Sequence, residues 1–156
     1  MNYMKKINLL LLFGVLSIMT FGFSACSDDG DEIGNASELL GLWEPIHAEG
    51  YEIFDGERDA WDEDVNAASN DADYNRVEFL DGGIYNNYYY YNGWKKDVAN
   101  GVYKLNGKKL VVRNDEEEET YELTIVSLTS TQLILETKES WGDEEFYEKV
   151  TYKKIN

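Results

Sequence analysis

The stretch Val102-Tyr103-Lys104-Leu105-Asn106-Gly107-Lys108-Lys109-Leu110-Val111-Val112-Arg113 decides the fold class. Two runs suited to strands flank Asn106-Gly107, a dipeptide that accepts the left-handed backbone of a tight hairpin. The first run leads in, and Lys109 to Arg113 returns as its partner. The same grammar repeats on both sides. Upstream, Val77 and Phe79 alternate with Glu78 before the turn Asp81-Gly82-Gly83, and a tyrosine-rich run from Ile84 to Asn92 closes on Asn92-Gly93. Downstream, Tyr121, Leu123 and Ile125 share one face while Glu122 and Thr124 share the other, the period of a half-buried strand. Leu133 and Leu135 repeat that pattern after a turn at Thr129-Ser130, and Phe146 to Ile155 forms a last strand. Short, regularly spaced strands in a meander predict an all-β fold, an antiparallel up-and-down barrel of about eight strands, with a β-sandwich as the alternative.

Towards the N-terminus, Leu42 to Tyr51 reads as the first strand with Trp43 facing inward, preceded by a helical turn or two at Ala36 to Leu40. Pro45 lacks the amide a sheet ladder needs, so it marks an edge or a bulge. Residues 55–73 lack an apolar period, are dense in Asp, Asn, Ala and Gly, and read as a long acidic loop. The five acids from Asp115 to Glu119 repel one another and predict the solvated tip of a hairpin.

Three segments, Glu38-Leu39-Leu40-Gly41-Leu42-Trp43-Glu44-Pro45, Val77-Glu78-Phe79-Leu80-Asp81-Gly82-Gly83 and Gly101-Val102-Tyr103-Lys104-Leu105, resemble the lipocalin-like domains of Bacteroidetes-type lipoproteins. Gly41 and Trp43 match the Gly-x-Trp near the start of such calycin-type barrels. The resemblance spans roughly residues 36–155 and implies the barrel fold, with ligand binding suggested.

The chain begins as an address. Lys5 and Lys6 precede an apolar run from Ile7 to Phe23 that ends in Ser24 and Ala25, the layout of an export signal. That run is shorter than the roughly 20 apolar residues of a membrane-spanning helix. Phe23-Ser24-Ala25-Cys26 resembles a bacterial lipobox, which implies acylation of Cys26 and anchorage to a membrane. The cluster Ser27-Asp28-Asp29-Gly30-Asp31-Glu32 resembles the surface-export tag of Bacteroidetes-type lipoproteins, which implies lipid anchoring at the outer membrane with display on the cell surface. A plain solvated tether with a periplasm-facing anchor is the other reading. The expected organisation is a signal peptide over 1–25, an acidic tether over 26–35, and a lipocalin-like barrel over 36–156 carrying the acidic loop 55–73.

The 156 residues carry 31 acidic and 14 basic side chains, a net charge of −17. A nucleic-acid partner is excluded, since phosphate recognition needs clustered Lys and Arg. The charge is uneven. Asp28 to Asp73 holds 16 acids against Arg58, whereas Tyr74 to Asn156 holds 15 acids against 11 bases. One Cys and one His, Cys26 and His47, leave no intrachain disulfide and no Cys/His zinc site. No nucleophile elbow accompanies His47 and no phosphate-cradling glycine loop is present, so the expectation is a protein that is not an enzyme.

Two constellations could carry binding. Tyr85, Tyr89 and Tyr91 share one strand face and, with Trp43, are the expected lining of a site for a small apolar or aromatic molecule inside the barrel. Tyr88 and Tyr90 on the other face, with Trp61, Trp94 and Trp141, could instead form an exposed aromatic platform for a glycan or a protein, the barrel serving as a solid scaffold. Tyrosine is also simply a good strand former. In the acidic loop, Asp62, Asp64 and Asn66 take the first, third and fifth places of a calcium-loop pattern, with Asp73 at the twelfth. Ala67 stands where the turn glycine belongs and no flanking helices are expected. Weak Ca²⁺ binding in another geometry is therefore the metal reading beside that of a solvated loop, and no other cofactor is expected.

Overall fold

A computed structural model describes residues 36–66, 73–91, 94–115 and 120–155; of Asp73, Tyr74, Trp94 and Lys96 it describes the backbone alone. The predicted leader, Cys26, the acidic tether, the Asn92-Gly93 turn and residues 116–119 of the acidic run lie outside the described residues.

A short 3-10 helix, Ala36–Leu39, leads into nine strands: β1 (Gly41–Phe54), β2 (Glu57–Asp64), β3 (Asp73–Leu80), β4 (Ile84–Tyr91), β5 (Trp94–Asn106), β6 (Lys109–Asn114), β7 (Thr120–Leu128), β8 (Gln132–Trp141) and β9 (Glu144–Ile155). From β3 onward each strand pairs antiparallel with the next, and β9 returns to pair with β1. The first residues of β1 pair with β3, Gly41 with Phe79 and Trp43 with Val77, which closes an eight-stranded antiparallel barrel. The barrel reading holds and the sandwich alternative falls.

β2 is the ninth strand among the described residues and corrects the reading of 55–73 as loop over Glu57–Asp64, while residues 67–72 of that stretch lie outside the described residues. It pairs with the second half of β1, from His47 with Asp64 to Phe54 with Glu57, so β1 and β2 form a long hairpin beside the barrel. Its turn is Asp55-Gly56, with φ of 53° and 78°, the left-handed pair a tight hairpin requires. That dipeptide was a readable signal. It went unread because Glu57–Asp64 is polar on nearly every residue, so no apolar alternation announced a strand. At the first hairpin quoted above the turn falls one residue later than the Asn106-Gly107 dipeptide, since Asn106 pairs with Lys109 across Gly107 and Lys108.

Pro45 sits at the predicted irregularity. The β1–β9 register shifts between Pro45 and His47, leaving Ile46 as the extra residue of a bulge. The bulge matters to the site. Trp43 and Pro45 are buried, yet beyond the bulge it is Ala48 and Gly50 that share the inward face with Val150 and Glu148, while His47, Glu49 and Tyr51 turn outward.

Candidate functional site

The inside of the barrel is divided along its axis. At the end nearest the 3-10 helix, Leu39, Trp43, Phe79, Leu110, Ile125 and Leu133 are fully buried, with Val77, Val112 and Leu135 packed among them. Phe79 meets Tyr103 edge-on at 5.1 Å between ring centres and Tyr85 at 5.5 Å. Trp43 donates its indole N–H to the Leu39 carbonyl at 2.8 Å, and the Lys154 ammonium stands 4.8 Å from the Trp43 ring while donating to the Glu38 carbonyl at 2.7 Å. The otherwise unpaired carbonyls at the end of the 3-10 helix are thus met by two side chains of the barrel.

Farther along the strands the inward positions change character. Side chains alternate in and out along each strand, so on β4 the face of Tyr85 continues through Asn87 and Tyr89, and on β9 that of Tyr152 continues through Val150, Glu148 and Phe146. Across β2, β1, β9 and β8, Trp61, Gly50, Glu148 and Thr137 fall in one row. Gly50 is needed there: a Cβ would lie 2.6 Å from the Trp61 ring and clash with the Tyr147 carbonyl. The missing side chain lets Trp61 reach across to Phe146, ring centres 5.9 Å apart.

The polar groups of these positions are half-buried. Burial pushes the Tyr85 and Tyr152 hydroxyls well above the ordinary phenol value, reinforced by Tyr89 at the first and by Tyr85 and Glu148 at the second. Burial alone raises the Glu148 carboxyl. The side-chain oxygen of Asn87 is sealed from solvent and accepts no hydrogen bond among the described residues. Asn114 is the one buried polar residue among the described residues.

The outer face of β1 and β2 holds a different cluster. His47 lies 3.0 Å from Asp64 through Nδ1 and 3.3 Å from Asp62 through Nε2. The hydrogen bond to Asp64 comes first among the effects that raise the imidazole pKa, and with the charges of Asp62, Asp64 and Glu49 it outweighs the opposing desolvation. His47, Glu49 and Asp62 bring one ligand atom each within 4.8 Å of the others. Glu49 is already paired with Lys149, and Tyr51 stacks on Tyr147 beneath the Arg58 guanidinium.

Of the residues singled out from sequence, Tyr85 and Tyr89 lie on the inward face of β4, whereas Tyr91 ends that strand and is 46% exposed. Trp43 belongs to the filled end, where its ring is fully buried and its N–H is taken by Leu39. Asp62 and Asp64 stand on one face of an extended strand opposite His47, Asn66 follows β2, and Asp73 opens β3. Residues 67–72 of the calcium-loop pattern, between Asn66 and Asp73, lie outside the described residues. The outer tyrosines are engaged: Tyr88 donates to Glu78 at 2.6 Å and Arg76 covers Tyr90 at 4.4 Å. Trp141 is 47% exposed, while Trp61 has turned inward. The reading from sequence missed Asn87, Glu148 and Tyr152. The alternation Phe146, Glu148, Val150, Tyr152 contains the signal, but does not say which face points inward.

Comparison with known proteins agrees with this architecture. No curated protein matches the chain in sequence. Among solved structures, apocrustacyanin C1 superposes with a TM-score of 0.50 at 13% identity, over 78% of this chain and 63% of its own. A lipocalin-like protein from Bacteroides uniformis gives 0.47 at 15% identity over 76% of this chain and 99% of its own. Bovine odorant-binding protein, in complex with a selenium-containing odorant, gives 0.44 at 18% identity over 85% of this chain and 78% of its own. The family model of the lipocalin-like domain matches residues 39–135, from the 3-10 helix into β8, and with the closed eight-stranded barrel this places the chain in the lipocalin-like domain family.

Proposed function

We propose that the protein is a lipid-anchored binding protein, attached through Cys26 to the outer membrane and displayed at the cell surface, whose barrel encloses a small apolar or aromatic molecule without transforming it. One observation carries the binding reading. On the inward face that Tyr85 and Tyr89 share, the side-chain oxygen of Asn87 is sealed from solvent with no hydrogen-bond donor among the described residues. A sealed acceptor inside a closed barrel is costly unless a bound molecule supplies the missing donor. An eight-stranded barrel is just wide enough to be filled by side chains or to hold one small ligand. Here Trp43, Phe79, Leu123 and Leu135 occupy one end, and the ligand belongs to the other, between Tyr85, Tyr89, Tyr152, Trp61 and Phe146.

Ala99 lies on the inner face of β5 opposite Asn87 and is 4% exposed. Ala99→Trp would fill the proposed space while leaving the outer face unchanged. Small molecules that co-purify with the native protein and are seen by mass spectrometry should vanish from this variant, provided its circular dichroism is unaltered; equal retention by both proteins would refute the internal site. For the anchor, Cys26→Ser should move the protein from the membrane to the soluble fraction, and protease added to intact cells should cleave the wild-type chain. Retention of the Cys26→Ser protein in the membrane would refute anchorage through this residue.

Adhesion through the outer tyrosines is the second reading. It is disfavoured because Tyr88 and Tyr90 are already engaged by Glu78, Lys95 and Arg76.

A further inference from the structure

Among the described side chains, those that face the barrel interior have a consistent electrostatic sign. On the strands, Arg58, Arg76, Lys95, Lys104, Lys109, Arg113, all described, alternate to the outside with Lys138, Lys149 and Lys153. Lys154 is the inward exception, and it is committed to the filled end through Trp43 and Glu38. Acids behave differently. Glu148 faces inward, and nearer the rim the same alternation turns Glu52, Asp97, Glu139 and Glu144 to that side. A cleft of one charge sign with low-dielectric walls concentrates the opposite sign.

The unmet groups agree with that field. No hydrogen bond or ion pair is made by Glu148 among the described residues, and its carboxyl is raised by burial with no cation to offset it. The Asn87 oxygen is buried without a donor among the described residues. Both are acceptors. An enclosed carboxylate left unpaired is costly, and a hydrogen-bonded cation is what relieves it. The phenol rings of Tyr85 and Tyr152 and the rings of Trp61 and Phe146 offer faces that attract a cation and cover an apolar body.

We propose that the molecule held in the barrel is a primary or secondary aromatic amine bound as its ammonium ion, with Glu148 as the counter-charge, Asn87 as a further acceptor, and the rings of Tyr85, Tyr152, Trp61 and Phe146 around its apolar part. This rests on the internal site argued above and assigns its chemical class. Glu148 sets specificity by making a neutral or anionic analogue leave a half-buried carboxylate unpaired, so discrimination falls on charge as well as shape.

The test uses three probes of one shape, 2-phenylethylamine, 2-phenylethanol and phenylacetate, titrated by calorimetry into the full chain in phosphatidylcholine nanodiscs, with empty nanodiscs as blank. The amine should bind roughly tenfold or more tightly than the alcohol, and the acid more weakly still. Glu148→Gln keeps the side-chain volume and a polar end, so it should abolish the preference for the amine while leaving the alcohol unchanged. Ala99→Trp should abolish all three. Equal binding of amine and alcohol by the wild type, or an unchanged preference in Glu148→Gln, overturns the amine assignment. If Ala99→Trp still blocks the probes in that case, the internal site stands without it. No heat from any probe with the wild type overturns the amine assignment as well, and retention of the native co-purifying molecule then decides the internal site separately.

Discussion

Replacing Trp43 by Phe tests how the closed end of the barrel is held. Trp43 is fully buried and its indole N–H donates to the Leu39 carbonyl at 2.8 Å. Phe keeps the aromatic packing but loses the N–H and part of the ring. Roughly 40 Å² of buried apolar surface disappears, about 1 kcal/mol at 25 cal per Å². The Leu39 carbonyl loses its donor in a buried setting, which adds about 1–3 kcal/mol. The expected cost is therefore about 2–4 kcal/mol, measured by urea unfolding followed by far-ultraviolet circular dichroism, with the midpoint moving and the slope unchanged. Lys154→Met sharpens the test, because it keeps the apolar stem and removes the ammonium that binds Glu38 and stands over the Trp43 ring. Both side chains tie down the same 3-10 helix, so the two losses should overlap. The double variant should cost less than the sum by about 0.5–1.5 kcal/mol. Strict additivity, or a Trp43→Phe cost below about 0.5 kcal/mol, would refute the view that these two donors hold the helix as the lid of the barrel.

Three further outcomes are expected. Gly50→Ala should displace Trp61 from Phe146, shift tryptophan emission to the red and destabilise the fold by about 1–3 kcal/mol; unchanged emission would show that the β1–β2 hairpin absorbs the methyl group. The single imidazole resonance, from His47, should titrate above 6.5 and drop on Asp64→Asn. Because the folded pKa is raised, stabilisation of the β1–β2 hairpin is full below the unfolded value and fades as pH climbs through the folded one; an unmoved resonance would end this assignment. Burial works to raise the Glu44 carboxyl, but its hydrogen bonds to Lys153 and Arg76 and their charges outweigh that and hold it below 4.5. Its stabilisation is present above the unfolded pKa and is lost as pH falls through the folded one. Stability should thus fall less steeply with acid in Glu44→Gln than in the wild type, and parallel curves would refute the pairing.

Pattern along the chain determined most of this fold. Alternation at Val77–Phe79 and Tyr121–Ile125, with turn dipeptides between them, is local information, and strand pairing in a meander is local as well, so the order of β3 to β9 followed from the residues. Gly41 and Trp43 marked the start of the barrel, and Pro45 marked a bulge. β2 was hidden because a strand at the margin of a barrel buries little, and Glu57–Asp64 therefore lacks an apolar face. Its turn, Asp55-Gly56, was the only local clue.

The candidate site divided in the same way. That Tyr85 and Tyr89 share a face is fixed by the two-residue period of a strand, and sequence alone determined it. Which face turns inward, and how far from the filled end, was decided by tertiary structure. The bulge at Ile46 exchanges the faces of β1, placing Gly50 inside and His47 outside, and closure between β1 and β9 sets Glu148 beside Gly50 and Trp61. Trp43 and Tyr85 look equally suitable as ligand contacts in the sequence. Only the tertiary structure separates them: Trp43 is fully buried, while Tyr85 packs at the edge of the same core and keeps some exposure. Carboxylates are abundant in this chain, and what singles out Glu148 is the strand closure that half-buries it with no cation paired to it among the described residues.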